Sequence, residues 1–311
     1  MFDIRGLLVS LGFFGVLYCL LSMLVVCIWR AANLLRGISA RGFAQVLFGL
    51  RIFPLVASLL VTLAFALPAF LLLESGVIDE DLGTLVFSVG SLLLLAAGVF
   101  RVVTAQARTA RVVADWMEGA SIFDAGVTIP TYQAKPGIPL LLLFGVRRPT
   151  VLVSETTVAL LSSDELRVSV RHEVEHLRSR DNLKKLIVHC FPFPGMAGLE
   201  RAWQEAAELA ADDAAISNRG EAIELASALV KLSELAPVQA TPAFTTGLAD
   251  VSMSVHLRVE RLLAWNENQV RGVRRYGWYV LPLIFAAVWW AAANYSEALS
   301  LTHRLTEWFV H

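Results

Sequence analysis

Residues 162–181 read SSDELRVSVRHEVEHLRSRD. Ser162, followed three residues on by Glu165, is a capping-box pattern, in which the hydroxyl accepts from the third helical amide and the carboxylate reaches back to the serine amide. Leu166, Val168, Val170, Val174 and Leu177 follow, so a helix is expected from here to about Arg180. On that helix His172 and His176 stand four residues apart and project from one face. The spacing lets two imidazoles reach one tetrahedral cation, with Glu173 beside them to take a proton from a water that the metal activates. A solvated, charged helix face would carry the same residue types, so the stretch needs a partner elsewhere in the chain.

A catalytic zinc takes three protein ligands and leaves one position open. Ser179 and Asn182 occupy the places where HExxHxxGxxH would put the glycine and the third histidine. A later expected helix, over about 196–217, carries ELAAD at residues 208–212. Glu208 and Asp212 share a face there, which suits Glu208 as third ligand and Asp212 as the carboxylate that orients a ligand histidine through its other ring nitrogen. Glu205, one turn earlier, is a rival ligand, but Leu209 rather than an acid stands four residues beyond it. Glu200 and Asp213 read as surface charges, and Asp181 as the partner of an arginine or a cap for the end of the first helix.

Around this core of motifs the chain alternates turns and short elements. PLLLLFG (139–145) and TVLVS (150–154) flank a turn and read as a hairpin. The first of these strands suits either plain core or the binding of a substrate backbone by strand addition. Further helices are expected over about 183–190, 221–235 and 251–265.

The remainder is far more apolar. Hydrophobic residues make up 56% and charged residues only 17% of the chain, with mean hydropathy +0.62; a soluble domain carries about 25% charged. Uncharged runs cover Gly6–Trp29, Ile52–Leu73, Leu82–Phe100 and Gly277–Tyr295, each close to the ~20 residues that cross a hydrocarbon core. The first run is too long for a signal-peptide core, and no small-x-small cleavage site follows it. The expected fold is therefore a mainly α membrane protein with four transmembrane helices and a cytoplasmic α+β metallopeptidase domain between the third and fourth. In residue terms, 1–103 holds spans at about 6–29, 52–73 and 82–103, residues 104–276 form the domain, 277–296 the last span, and 297–311 a short tail.

Loop charges assign the sides. Arg30, Arg36, Arg41 and Arg51 lie between the first two runs, whereas Glu74, Asp79, Glu80 and Asp81 lie between the second and third. Arg101, Arg108 and Arg111 follow the third run, and Arg271, Arg274 and Arg275 precede the fourth. The positive-inside rule puts the metal motif in the cytoplasm and both termini outside. Cys19 and Cys27 fall in the first run and Cys190 in the domain, so neither a disulfide nor a thiolate zinc site is expected. A net charge of −1 with no basic patch argues against nucleic acid as a partner.

HEVEH, RD at 180–181 and ELAAD resemble the HExxH…RRD…ELACD pattern of the BlaR/MecR-type integral-membrane zinc metallopeptidases, which are gluzincins. The likeness extends through RRPTVLVSETTVALLSSDELRVSVRHE (147–173) and HLRVERLL (256–263), or roughly residues 100 to 295. It implies that His172, His176 and Glu208 bind Zn²⁺ and that Glu173 is the catalytic acid/base. A downstream arginine or histidine in related gluzincins stabilises the oxyanion, a role open here to Arg258 or His256, although both also suit a helix surface. Three departures from the pattern stand out: Ala211 replaces the cysteine of ELACD, Ser154 replaces a proline usual after the second strand, and no penicillin-binding sensor domain is expected after the last run. The β-lactam-sensing role is therefore not implied.

The resulting expectation is a zinc-dependent endopeptidase of a bacterial cell membrane. It would cut a cytoplasmic or membrane-proximal protein in signalling, for example a transcriptional repressor. A membrane-protein quality-control protease of the HtpX type shares the chemistry, and a non-catalytic membrane transducer is the reading from another class. The lipid bilayer and a protein or peptide substrate are the expected partners.

Overall fold

In the computed structural model, residues 2–31, 39–73, 82–127, 129–136, 141–235, 245–247, 255–266 and 294–310 are described. The apolar runs become helices α1 (Phe2–Ala31), α2 (Ala40–Val61), which passes through a π-turn (Thr62–Ala66) into α3 (Leu67–Leu73), and α4 (Leu82–Met117). Among the described residues, Gly6–Trp29, Ala40–Phe70 and Leu85–Met117 are long and apolar enough to cross a membrane. The expected fourth span lies outside the described residues. Helix α4 runs on past Arg101 to Met117 without a break, as its helix-forming Ala and Arg residues favour.

The second span begins earlier than its uncharged run. Ser39 caps it, with its hydroxyl accepting from Gly42 N at 3.1 Å, so Arg41 and Arg51 sit on the helix and not in a loop. Arg51 is buried, which corrects its reading as a loop charge. Helices α1 and α4 pack closely along each other: a Cβ at Gly15 would fall 1.8 Å from Ser91 Oγ. Small residues at such contacts let two membrane helices approach.

The domain after α4 is built on a sheet of order β1-β2-β4-β3-β5. The expected hairpin forms from β3 (Leu141–Phe144) and β4 (Thr150–Ser154), antiparallel with Leu142 opposite Leu152. Three strands had no clear sequence signal. Strand β2 (Thr131–Ala134) pairs parallel with β4, β1 (Ser121–Ile122) pairs antiparallel with β2, and β5 (Thr245–Gly247) covers the other side of β3. With neighbours on both sides, β3 is an inner strand and has no edge to offer a substrate.

Ser154 N-caps α5 (Glu155–Leu160), accepting from Thr157 N at 3.1 Å, which gives the serine at that departure from the family pattern a local role. The capping box then forms as expected and opens α6 (Ser163–Ser179). Glu165 does more than cap, since its carboxylate also accepts from Ser227 and Lys231 on α9 (Arg219–Leu235). Between them lie α7 (Asp181–Cys190) and α8 (Ala197–Ala215), and α10 (Val255–Leu263) packs against α9. The main core joins Leu143, Val151 and Val153 of the sheet to Val168 and Val170 of α6 and Leu225 and Leu229 of α9.

A second core crosses from membrane to domain: Val25, Ala44 and Leu47 pack with Val188, Met196, Leu199 and Trp203 of α7, α8 and their connection. The domain that follows α4 is thus seated directly on the spans. The chain end expected as a short tail is helical as α11 (Tyr295–Val310), and the Tyr295 hydroxyl donates to Ala64 O in the π-turn at 3.1 Å.

Candidate metal centre

Helix α6 has one wet and one dry face, and the dry face presents His172, Glu173 and His176. Helix α8 packs across it and brings Glu208 and Asp212. These five side chains, with Asp181 and Arg258, are each no more than 4% exposed. Buried ionisable groups persist only when paired or when they bind a metal.

The two imidazoles meet through Nε2, 3.1 Å apart. Glu208 closes the third side, with Oε2 3.4 Å from His172 Nε2 and Oε1 3.4 Å from His176 Nε2. Ligand atoms around a tetrahedral ion with bonds of 2.0–2.1 Å lie about 3.3 Å apart, so these separations suit one cation. Among the described residues, His172, His176 and Glu208 form the group able to hold a metal ion. Glu205, the rival, is not part of it.

Each histidine has its other nitrogen against a carboxylate. His172 Nδ1 lies 3.0 Å from Asp212 Oδ1, and His176 Nδ1 lies 2.8 Å from Asp181 Oδ2. Carboxylates there hold the proton on Nδ1 and leave Nε2 free to ligate. Asp181, expected from sequence to pair with an arginine or to cap the helix end, has as its partners His176 and, through Oδ1 at 2.9 Å, Lys184. The reason is a backbone detail, because Arg180 adopts φ 56°, ψ 38°. That left-handed turn ends α6, starts α7 and folds Asp181 back onto the histidine one turn behind it. A non-glycine residue accepts about 1–2 kcal/mol of strain to do so.

Arg258 reaches the cluster from α10. Its guanidinium donates to Asp212 through Nε at 2.9 Å and Nη2 at 2.6 Å, and Nη1 lies 3.2 Å from Glu208 Oε2. His256, two residues earlier, points elsewhere: it is 78% exposed and 3.5 Å from Glu260. Asp213 pairs at the surface with Arg261, as a surface charge should. Glu200 does not stay a surface charge, since it forms an ion pair with the buried Arg51 at 2.7 Å.

Electrostatics favour a cation at the centre. Glu173, Asp181, Glu208 and Asp212 are carboxylates, and their cationic partners are Arg258 and Lys184. Burial alone would push the Glu208 carboxyl up, yet His176, His172 and Arg258 hold it well below the usual range. Burial likewise opposes ionisation of Asp212, but Arg258 and His172 bring it down to about 2. The imidazoles respond to the same excess of negative charge: burial favours their neutral forms, but the facing carboxylates raise His172 and lift His176 to about 10. A divalent ion would replace those protons and balance the cluster. The residues present therefore fit zinc.

Residues 84–262, more than half of the 311-residue chain, match the family described as BlaR1 peptidase M56. A search of curated proteins finds no match. The matched stretch runs from the third membrane helix to α10 and includes every residue of the cluster. With its dry His–His–Glu group seated on apolar helices, this chain belongs to the BlaR1 peptidase M56 family.

Proposed function

We propose that the protein is a membrane-bound zinc endopeptidase. The observation that carries this is the convergence of His172 Nε2, His176 Nε2 and the Glu208 carboxylate on one point, with Glu173 fully buried on the same helix face. Zinc held there would supply Lewis acidity and bring the pKa of water to about 7. Glu173 accepts the proton of the attacking water and returns it to the leaving nitrogen, which is general acid–base work. Asp181 and Asp212 fix the orientation of the imidazoles. Arg258 holds Glu208 and Asp212 in register and is a positioning residue in this reading; its guanidinium is already committed to carboxylates and is a poor choice for the oxyanion.

The substrate proposed is a cytoplasmic or membrane-proximal protein cut in signalling, with the domain on the cytoplasmic side of a bacterial cell membrane. The arginine-rich 30–51 and 101–111 stretches against the acidic 74–81 loop support that orientation. Cysteine labelling of intact cells checks it: a single cysteine at position 76 is reached by an impermeant maleimide, and one at position 124 is not. For the activity, purified protein should bind one zinc ion and cleave a denatured protein or a peptide library. Glu173→Gln should keep the zinc and lose the cleavage. Cleavage by that variant at the wild-type rate, or a wild type that binds no zinc, sinks the reading.

A further inference from the structure

The C-terminal end of α7 is held by three membrane helices at once. Arg51 of α2 donates through Nη2 to Val188 O at 3.2 Å and Phe191 O at 2.6 Å, while its Nε donates to Glu200 of α8 at 2.7 Å. The Tyr18 hydroxyl of α1 donates to the same Phe191 carbonyl at 3.0 Å. Helix α4 comes so near that a Cβ at Gly98 would lie 1.8 Å from Cys190 O. The last carbonyls of any helix lack intrahelical partners, and among membrane spans no water replaces them. The fork of an arginine suits the task, because one guanidinium can serve two carbonyls and still face a carboxylate.

Both helices that leave this clamp lead to the metal group. Helix α7 runs back from Cys190 to Asp181, which orients His176, about 14 Å at helical rise. Helix α8 runs on from Glu200 to the ligand Glu208, about 12 Å away. Helices are stiff over two or three turns, so the separation set at Arg51 reappears as the separation between the His176 side and the Glu208 side of the site.

We propose that Arg51, a membrane-helix residue, is a positioning residue of the metal centre: by tying the end of α7 to the start of α8 it sets how far apart Asp181–His176 and Glu208 stand. Metal affinity and ligand geometry then depend on the packing of α1, α2 and α4, and displacement of those spans reaches the site through this clamp. This rests on the reading of His172, His176 and Glu208 as metal ligands.

The test uses the full-length protein in detergent or nanodiscs, with zinc affinity measured by competition with a chromophoric chelator and ligand geometry by the d–d absorption of the Co²⁺-loaded form. Arg51→Met should weaken zinc binding roughly 3- to 30-fold, the range for couplings through packed networks, and should alter the cobalt spectrum. Arg51→Lys should recover part of both, since it keeps the charge but loses the fork. An Arg51→Met protein that unfolds as wild type does, with unchanged zinc affinity and cobalt spectrum, overturns the proposal. If Arg51→Met does not fold, Tyr18→Phe and Glu200→Gln decide: each should weaken zinc severalfold, and wild-type affinity in both overturns it. A wild type that binds neither metal fails the underlying site reading instead, and the proposal falls with it.

Discussion

Helices α7 and α8 have two ends of opposite character. At one end they join α6 and α10 in a buried cluster of carboxylates, imidazoles and the Arg258 guanidinium. At the other they sink Met196, Leu199 and Trp203 among Val25, Ala44 and Leu47 of the spans, with Arg51–Glu200 as an ion pair amid apolar packing. The metal end is specified by charge balance, where each group is tolerable only because its neighbours are present. The membrane end is specified mainly by shape, and Arg51 serves the Val188 and Phe191 carbonyls there, the second together with Tyr18. Loss of a polar group should therefore dominate at the first end and loss of volume at the second, where Arg51 is the exception.

Several substitutions would break or sharpen that contrast. The largest expected effect is at the metal end: Glu173→Gln should lower kcat by about 10²- to 10⁴-fold while metal analysis finds the same zinc content. Zinc loss in that variant would mean that Glu173 is a ligand or a structural group instead. Next, Arg258→Met should cost about 3–5 kcal/mol in denaturant unfolding, because Asp212 and Glu208 would stay buried without their cation. Arg258→Lys should recover little of this, since an ammonium cannot match the two-pronged contact to Asp212.

The counterpart at the membrane end is Trp203→Ala. It should also cost about 3–5 kcal/mol, through a cavity and not a stranded charge, and Trp203→Phe should recover much of it. If lysine rescued position 258 as well as phenylalanine rescues 203, the distinction between the two ends would collapse.

Smaller effects follow. Asp181→Asn should reduce zinc affinity about 10- to 100-fold, as loss of an outer carboxylate behind a ligand histidine does, measurable by chelator competition. The smallest is at Glu165, away from both ends. Burial opposes its ionisation, but Lys231, Ser227 and the Ser162 amide hold its pKa below the ordinary value. A folded pKa below the unfolded one, near about 4.3, adds stability that is complete above the unfolded value and disappears as pH falls through the folded value. Glu165→Gln should cost about 1 kcal/mol at neutral pH and flatten the acid limb of the stability profile below about pH 4.3. An unchanged acid limb would show that Lys231 does not engage the carboxylate in solution.

How much of this was legible varies with the sequence distance each contact spans. The capping box, the i,i+4 histidines and the i,i+4 pair Glu208–Asp212 are local patterns, and helical periodicity alone puts their members on common faces. Asp181 lies only five residues from His176, yet its role depends on the left-handed Arg180, and nothing in the letters RSRD demands that conformation from an arginine. Arg258 meets Asp212 across 46 residues and Arg51 meets Glu200 across 149. From sequence Arg51 read as a loop charge and Arg258 as an oxyanion donor or a solvated helix charge, because hydropathy records what a side chain is and not what it will face. Strand β5 is three residues long and is defined only by the side of β3 it covers.

By itself, then, the sequence determined the apolar spans, the capped helix with its two histidines, and the helix carrying Glu208 and Asp212, because these follow from periodicity and caps within a few turns. The tertiary structure alone decided which carboxylate stands behind which imidazole, where Arg258 and Arg51 are spent, and that the metallopeptidase helices root in the membrane bundle. Those outcomes are set by packing between distant segments, where a buried charge accepts whichever partner the fold delivers.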